Sequence, residues 1–511
     1  MTTTASLPGH PESHQEPSSA AKAPNVSAAS TKRGRGRSTT QATAVVELAA
    51  ETELWCAPDG AAFATIEFEN RREHWPVRSG ALAQWLAGRH FEAHAEAPRA
   101  AAISDALAVL EGRARSRRGE HQVFTRVAGH EGRMYLDLGD EGWRAVEIGP
   151  GGWSVVTRPP VRFRRGKAML ALPEPVRGKS LSLLRRFINV CDDDWPLVAS
   201  WLVAALRPTG PYPILFLHGE QGSGKSTQAR VLRALVDPNS APLRALPNDV
   251  RDLAVRADKS WVIALDNVSR LPGWLSDALC RLSTGGGLAT RSRRANEEET
   301  IFEAQRPVLV NGIEDLASRS DLLDRALVVH LPSIPRGRRR SEADFWREFN
   351  HCRPWLVGAL VGAAATALAR LPLMRQANLP RLADFAQWGA AAEPALGCAA
   401  GFFNRIYFHH RQGLDLFALE SSPIAVPVRM LVDAGPWRGT ASDLLEALNR
   451  DCNSRIGERR SPDWPKSPCK LANALRRLAP NLRTCGLLIE FMRAGTTGRH
   501  RMISLRMRSD R

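Results

Sequence analysis

One segment of nine residues combines the residue types that bind phosphate groups. It reads Gly219-Glu220-Gln221-Gly222-Ser223-Gly224-Lys225-Ser226-Thr227. The glycines allow the backbone to curl so that successive N–H groups point at phosphate oxygens, and a helix that begins at this point adds its positive end. Because an apolar run, Ile214 to His218, leads into the segment, the order of strand, loop and helix predicts a nucleoside triphosphate site formed by all nine residues.

Two side chains of this loop have separate expected roles. Lys225 has the length to reach the β- and γ-phosphates of ATP, and the hydroxyl of Ser226 can bind Mg²⁺. A glycine-rich turn with an incidental lysine is the alternative. Only eight of the 70 basic residues are lysines, so a lysine at this position favours the phosphate site.

A polar pair after a second apolar run supplies the expected partner of the metal. The run is Trp261 to Leu265, and Asp266 and Asn267 follow it. A buried parallel strand that ends in an acid at the nucleotide has this pattern, so Asp266 is the expected carboxylate for Mg²⁺ and its waters. Asn267 can orient a water molecule but cannot take its proton, so either another group is the base or hydrolysis is slow.

A third apolar run, Pro307 to Val310, ends in Asn311 and Gly312. An Asn before a Gly is often only a turn residue. Because this one follows the loop and the Asp266 strand, its side chain is in the expected place to hydrogen-bond the γ-phosphate or the attacking water. We therefore expect Asn311 to act as a catalytic residue.

Two arginines, Arg319 and Arg325, follow the third run. One of them can act across a subunit interface on the γ-phosphate held by a neighbouring subunit. Surface ion pairs with Asp321 or Asp324 are the alternative, and exposed pairs of that kind contribute little to stability.

The order of loop, Asp266 strand, Asn311 strand and trailing arginine resembles the AAA+ branch of P-loop ATPases. More narrowly, the segment Thr284-Gly285-Gly286-Gly287-Leu288-Ala289-Thr290-Arg291, with residues 292–302 and 307–331, looks like the helicase half of superfamily 3 primase-helicases of phages, plasmids and integrative elements. The resemblance covers about residues 175–345. It implies a homo-oligomer, a hexameric ring in that family, which uses ATP and Mg²⁺ to move along single-stranded or forked DNA. Asn267 departs from the family, which commonly has a second acid there, and the water-activating group is left unassigned.

The same resemblance implies a β-hairpin just before the Asn311 strand that projects into the channel of the ring. Its strands would be residues 288–292 and 300–304, with three arginines at or near the tip. These are Arg291, Arg293 and Arg294, and we expect them to contact DNA. A solvated turn balanced by the acidic run 297–299 is the alternative.

The C-terminal residues 431–511 contain 16 Lys or Arg against 8 Asp or Glu, a net charge of +8. Two helices followed by two strands are expected here, which is the order of a winged helix. The second helix begins at Ser467 and carries three polar side chains on one face. These are Lys470, Asn473 and Arg477, and we expect them to bind DNA, with a solvated basic face as the alternative.

The composition is that of a globular protein. The 511 residues are 43% apolar and 24% charged with a net charge of +17, which excludes fibrous and fully disordered classes and favours a polyanionic partner. Without an apolar run of 18 residues or an apolar signal core, a cytoplasmic protein that spans no membrane is expected. Eight scattered cysteines without a C-x-x-C pair argue against a disulfide framework and a zinc site.

The expected fold class is α/β, built on a P-loop, AAA+-like parallel-sheet ATPase core. The expected parts are a disordered basic tail (1–44), an α+β N-terminal domain of unknown role (45–175), the P-loop ATPase domain (176–340), a helical lid region (341–425) and a winged-helix-like nucleic-acid-binding domain (426–511).

Two functions from different classes fit these residues. The first is an ATP-hydrolysing DNA motor, a helicase-like replication ATPase of a phage or mobile element. The second is a DNA-binding protein that ATP regulates by organising a ring or filament, with slow or no hydrolysis. Asn267 favours the second function, whereas Asn311, Arg325 and the hairpin arginines favour the first. A small-molecule kinase is poorly supported, because the sequence offers no evident acceptor pocket.

Overall fold

The computed structural model describes residues 40–116, 119–291, 299–312, 320–375, 379–420, 422–451, 464–494 and 500–508. The fold is mixed α/β. The helices are α1 (Gln41–Leu48), α2 (Gly80–His94), α3 (Ala100–Ser116), α4 (Trp195–Ala204), α5 (Lys225–Val236), α6 (Val250–Lys259), α7 (Gly273–Thr284), α8 (Ser320–Leu323), α9 (Glu342–Arg370), α10 (Ala383–Ala392), α11 (Phe402–Glu420), α12 (Ala425–Asp433), α13 (Ala441–Asp451) and α14 (Pro468–Thr484). The strands are β1 (Glu53–Cys56), β2 (Ala62–Glu67), β3 (Arg72–Pro76), β4 (Val123–Phe124), β5 (Val127–His130), β6 (Arg133–Asp137), β7 (Ala145–Gly149), β8 (Gly152–Val156), β9 (Arg162–Phe163), β10 (Ile214–His218), β11 (Ile263–Leu265), β12 (Gly287–Arg291), β13 (Glu299–Glu303), β14 (Val308–Asn311), β15 (Ala326–His330), β16 (Trp437–Thr440), β17 (Leu487–Ala494) and β18 (His500–Met507).

The central sheet is parallel and has four strands in the order β11-β14-β10-β15. Alternate residues of β10 face opposite sides of the sheet. Leu215 and Leu217 belong to an apolar cluster with α4, α5 and α9, whereas Ile214 and Phe216 belong to a second cluster with α6 and α7. Because both faces are covered, the strands are apolar apart from the polar last residues His218, Asn311 and His330.

The parallel arrangement brings the ends of three strands to one edge of the sheet. Leu217 of β10 pairs with Asn311 of β14, and Leu265 of β11 pairs with Val310 of β14. The loop that follows β10 and the polar residues that follow β11 therefore lie beside the end of β14.

The N-terminal part contains two antiparallel sheets that pack differently. Strands β1, β2 and β3 pack with α1, α2 and α3 around an apolar cluster of their own. The meander β5-β6-β7-β8 instead contributes Leu136 and Val146 to the cluster that contains α4 and the central sheet. Buried Arg126, just before the meander, donates from Nε to Asp237 at the end of α5 over 3.2 Å. The meander is thus joined directly to the central sheet region.

Helix α9 with the turn after it, Glu342–Leu373, is long and apolar enough to cross a membrane by length and composition alone. Half of its most apolar window is buried inside the fold, as in a core helix of a globular protein.

Helix α9 makes one contact that is close enough to require glycine. A Cβ atom at Gly358 would lie 2.0 Å from the carbonyl oxygen of Val176.

The C-terminal part has the element order α12-β16-α13-α14-β17-β18. Its antiparallel sheet has the strand order β16-β18-β17, and the apolar sides of α13 and α14 cover it. Helix α11 connects this part to the central sheet. The Val328 N–H of β15 donates to Nε2 of His410 over 3.1 Å, and the Asn481 side chain of α14 donates to Asp415 over 2.8 Å.

Candidate functional site

The glycine-rich loop lies between β10 and α5, and its backbone requires glycine. Gly219, Gly222 and Gly224 have φ values of +153°, +86° and +85°. At Gly219 the available space adds a second requirement, because a Cβ atom would lie 2.4 Å from the carbonyl oxygen of Leu331. Helix α5 begins at Lys225, directly after Gly224, so the free N–H groups of its first turn face the loop.

The Lys225 ammonium group folds back over the loop. Its Nζ atom donates to the carbonyl oxygens of Gly219 and Glu220 over 2.6 Å and 2.8 Å. These carbonyl oxygens hold the positive charge of Lys225 beside the N–H donors of the loop. Positive charge and N–H donors together form a site that favours an anion.

The two predicted Mg²⁺ ligands lie together. Ser226 Oγ donates to Asp266 Oδ1 over 2.9 Å, although the two residues are 40 positions apart in the sequence. Ser226 is in the first turn of α5, and Asp266 comes directly after β11. A hydroxyl and a carboxylate oxygen are ligands of the kind that Mg²⁺ prefers, so the donor set fits this metal.

The polar residues after β11 and β14 are joined by hydrogen bonds. The Asn267 N–H donates to Oδ1 of Asn311 over 2.8 Å, and the Val268 N–H donates to the carbonyl oxygen of Asn311 over 3.0 Å. Asn267 has a φ of +53°, a left-handed conformation that Asn tolerates better than most residues. The backbone of Asn267 therefore holds Asn311 in place. The side chain of Asn267 is exposed, and its amide group faces solvent.

Three buried polar atoms around the loop have no hydrogen-bond partner within the described part of the chain. They are Ser223 Oγ, Gln228 Nε2 and Asn311 Nδ2. All three side chains are at most 2% exposed. An unpaired buried donor is costly, and a ligand that supplies acceptor oxygens satisfies it. The surroundings of the loop therefore fit a phosphate-containing ligand.

Asn189 is a residue near the loop that the sequence analysis missed. Its Nδ2 atom donates to the carbonyl oxygens of Ser223 and Pro332 over 3.1 Å and 2.5 Å, and its N–H donates to Oε1 of Gln228 over 2.9 Å. Asn189 thus ties the loop to the segment after β15. A single Asn about 30 residues before the loop gives no signal of this role in the sequence.

Arg325 lies at the amino ends of the central strands, whereas the loop lies at their carboxyl ends. Its carbonyl oxygen accepts from the N–H of Ile214 at the start of β10, over 2.8 Å. Its guanidinium donates to the carbonyl oxygen of Asp321 over 2.8 Å, whereas the Asp324 carboxylate pairs with Arg381 and Arg411. Arg325 is therefore remote from the loop of its own chain. Arg319 lies outside the described residues.

The expected hairpin before β14 is present as the antiparallel pair β12 and β13. Its register runs from Gly287 opposite Glu303 to Arg291 opposite Glu299. Arg291 is the last residue of β12, and the residues between the strands, with Arg293 and Arg294, lie outside the described residues.

Helix α14 has a buried side and an exposed polar side. Leu471, Leu475 and Leu478 are buried against the C-terminal sheet. The three residues expected to bind DNA are on the exposed side, and Ser467 caps the helix by accepting from the N–H of Lys470. They are Lys470, Asn473 and Arg477.

Arg476 is a basic residue of α14 that the sequence analysis missed. Its guanidinium donates to the side chain of Asn473 over 3.0 Å and lies 4.9 Å from the ring centre of Phe491 on β17. Arg476 thus links the polar side of the helix to the hairpin.

Family models match two parts of the chain. The model described as the actinomycete integrative conjugative element replication protein matches residues 181–407. The model described as the C-terminal domain of that protein, RepA, matches residues 424–510. The first match contains the loop, Asp266 and Asn311, and the second contains α13, α14 and the last two strands.

Three solved structures of the NrS-1 C-terminal region are similar to this chain. An A-form apo structure is 14% identical with a TM-score of 0.35, over 62% of this chain and 68% of that chain. An apo structure of its residues 305–718 is 13% identical with a TM-score of 0.34, over 64% and 73%. An A-form apo structure of the same residues is 11% identical with a TM-score of 0.37, over 90% and 98%. A comparison with curated proteins gives no significant match.

Proposed function

We propose that this chain, whose two family matches are to a mobile-element replication protein, is an ATP-hydrolysing motor that acts on DNA. The observation that carries this proposal is the 2.9 Å hydrogen bond between Ser226 and Asp266 beside the glycine-rich loop. The hydroxyl and the carboxylate come from separate elements and meet at the N-terminus of α5. Mg²⁺ and a triphosphate require this combination of groups.

Each group of the loop edge has a proposed task in hydrolysis. The loop N–H groups and Lys225 hold the β- and γ-phosphates, and Lys225 exchanges its carbonyl partners for phosphate oxygens when ATP binds. Ser226 and Asp266 hold Mg²⁺, which when bound neutralises charge on the phosphate oxygens. Positioning and charge stabilisation of this kind account for most of the catalysis of phosphoryl transfer.

The unpaired Nδ2 group of Asn311 is the proposed contact to the γ-phosphate or the attacking water. Asn311 Oδ1 already accepts from the Asn267 N–H, so the amide orientation leaves Nδ2 as a free donor at the loop edge. The exposed amide of Asn267 can orient a water but cannot act as its base. The proton acceptor is therefore a group other than Asn267.

A ring of subunits is part of the proposal. Arg325 lies at the amino ends of the central strands, away from the loop of its own subunit. An arginine in that place can reach a nucleotide only in another subunit, where it would stabilise charge on the γ-phosphate. The β12–β13 hairpin would then supply Arg291, Arg293 and Arg294 to DNA in the channel.

The C-terminal part is proposed to be a winged helix that binds DNA. The order of the described elements, α12-β16-α13-α14-β17-β18, supports this proposal, with α14 in the place of the helix that reads DNA and the β17–β18 hairpin as the wing. The exposed Lys470 and Arg477 on α14 supply positive charge for phosphate contacts.

A DNA-binding protein that ATP regulates, with slow or no hydrolysis, is the second candidate. The observation that favours it is Asn267, whose backbone supports Asn311 and whose side chain cannot remove a proton from water. In that case ATP would organise the oligomer without driving movement.

One experiment separates the two candidates. Turnover of ATP and unwinding of a forked DNA duplex are measured on the full chain with ATP, with a non-hydrolysable ATP analogue, and for Lys225→Ala. A motor unwinds only with ATP and loses unwinding in the variant. If the analogue supports DNA binding as well as ATP does and no unwinding occurs, the regulated DNA-binding protein is correct. Measurable ATP turnover that is equal in Lys225→Ala and the wild type would refute a motor driven from this loop, whereas no turnover in either protein fits the second candidate.

A further inference from the structure

A segment after β15 crosses over the glycine-rich loop. This segment, residues 332–340, is called the strap. Two hydrogen bonds hold it in place: Asn189 Nδ2 donates to the carbonyl oxygen of Pro332, and Ser333 Oγ donates to Glu220 Oε2 over 2.8 Å. The strap then leads into α9, whose first residue, Glu342, pairs with Arg230 of α5 over 2.8 Å.

The strap touches the loop at two glycines. A Cβ atom built on Gly224 would lie 3.2 Å from Cδ1 of Ile334, and a Cβ atom built on Gly222 would lie 3.5 Å from Nη2 of Arg339. The Arg339 guanidinium therefore lies close to the loop that is proposed to hold the phosphates. The loop and the arginine belong to the same chain.

A cavity of about 350 Å³ lies between the strap, the start of α5 and residues 186–189. Phe187, Ile188, Ile334 and Phe345 form apolar parts of its wall. Gln228 also lines it, is only 2% exposed, and has its Nε2 donor unpaired within the described residues. The cavity combines these apolar parts with polar and charged side chains, and it lies beside the loop at Gly224 and Thr227.

The arginines that line this cavity differ in their partners. Arg186 and Arg340 both pair with Glu348. In contrast, the structure gives Arg338 and Arg339 no acidic partner in the described ranges. Since both guanidinium groups face the cavity without a counter-charge of their own, the cavity favours an anion near the loop.

We infer that the strap closes the nucleotide site within one subunit, and that Arg339 binds the phosphate chain of the nucleotide while the cavity receives its nucleoside. This inference rests on the proposed function, because it assumes that the loop binds ATP. Arg339 would act on the nucleotide of its own subunit. Arg325, in contrast, is proposed to act on the nucleotide of a neighbouring subunit.

The test is the affinity of the full chain for ATP and for inorganic tripolyphosphate, measured by titration calorimetry. Arg339→Ala is expected to weaken both about tenfold, because one charge-assisted contact to phosphate is lost. Arg336→Ala is the matched control, since Arg336 is an exposed arginine of the same strap that does not line the cavity. It should leave both affinities unchanged, and Arg339→Lys should restore part of the loss.

The outcomes separate this inference from the proposed function. If the wild type binds ATP, Lys225→Ala does not, and Arg339→Ala binds like Arg336→Ala, the loop site stands and the role of Arg339 is refuted. If the wild type itself binds neither ATP nor tripolyphosphate, the proposed function fails and the inference fails with it. A loss for ATP alone, with tripolyphosphate unaffected, would place Arg339 at the nucleoside and overturn its contact to phosphate.

Discussion

The loop edge of the central sheet and the polar face of α14 are built in opposite ways. At the loop edge, side chains from α5, the end of β11 and the end of β14 are fixed by hydrogen bonds such as Ser226 to Asp266 and Asn267 to Asn311. On α14, Lys470 and Arg477 extend into solvent and only the buried leucines behind them fix the helix. We therefore expect the proposed ATP turnover to depend on the identity and position of each group at the loop edge. The proposed DNA binding should depend on the summed charge of α14. Single substitutions should therefore have large effects in the first region and graded effects in the second.

Lys225→Ala is the change with the largest expected effect. The variant loses the loop side chain that is proposed to neutralise the β- and γ-phosphates, so ATP turnover should fall by roughly 10³-fold or more. Lys259→Ala, at the exposed end of α6, is the control and should keep wild-type turnover. A phosphate-release assay measures both variants. Similar turnover in the two variants would show that the loop edge does not depend on single groups.

Asp266→Asn is expected to have the next largest effect. The amide oxygen can still accept the hydrogen bond from Ser226, but the negative charge for Mg²⁺ is gone. Turnover at a fixed low Mg²⁺ concentration should fall on the order of 10²-fold, and excess Mg²⁺ should restore part of it. The thermal midpoint of unfolding should be unchanged. A Mg²⁺ titration that matches that of the wild type would remove Asp266 from the metal site.

The two regions were also predictable from the sequence to different degrees. The loop, Asp266 and Asn311 were found because glycine spacing and apolar runs that end in polar residues are local patterns, and the parallel sheet brings their ends together. The leucine spacing of α14 likewise predicted its buried side. The positions of Asn189 and Arg339 beside the loop could not be predicted in this way. Asn189 lies about 30 residues before the loop and Arg339 lies after β15, and only the fold brings them to it. The attachment of the β5–β8 meander to the central sheet was missed for the same reason, since it rests on buried Arg126 and the distant Asp237.

The double variant Lys470→Ala with Arg477→Ala tests the polar face of α14 and has a smaller expected effect. Duplex DNA binding of the full chain should weaken about tenfold at moderate salt. The slope of log affinity against log salt should fall by about two, because two counterion-displacing charges are lost. Arg483→Ala is the control, because Arg483 is an exposed arginine in the last turn of α14, on a different face of the helix. Fluorescence anisotropy over a salt series measures both, and equal slopes would contradict a binding role for this face.

His410 has the smallest expected effect on ATP turnover and tests α11 between the two regions. Burial, with the charges of Arg411 and His409, lowers the pKa of His410 from 6.5 to about 4, and its Nε2 accepts from the Val328 N–H. Because the folded protein binds this proton less tightly than the unfolded chain, the contribution to stability is complete above pH 6.5. This contribution is lost as the pH falls from 6.5 towards 4, and the free energy of unfolding decreases by on the order of 3 kcal/mol.

The measurement for His410 is the free energy of unfolding of the wild type and of His410→Gln by urea at several pH values. The difference between the two should change between pH 7 and pH 4.5, with the variant less sensitive to acid. ATP turnover at pH 7.5 should be nearly unchanged, since His410 does not contact the loop. Parallel curves for the two proteins would show that folding does not lower the pKa of His410.

Helix α11 also determines where a fragment that contains the C-terminal part must begin. Leu419 of α11 packs against the C-terminal apolar cluster, and Asp415 accepts from Asn481 of α14. A fragment that began at residue 424, where the second family match begins, would leave Asn481 without that partner and uncover the apolar surface beside Leu482. A fragment that keeps the interior of the C-terminal part covered therefore begins inside α11, upstream of Asp415.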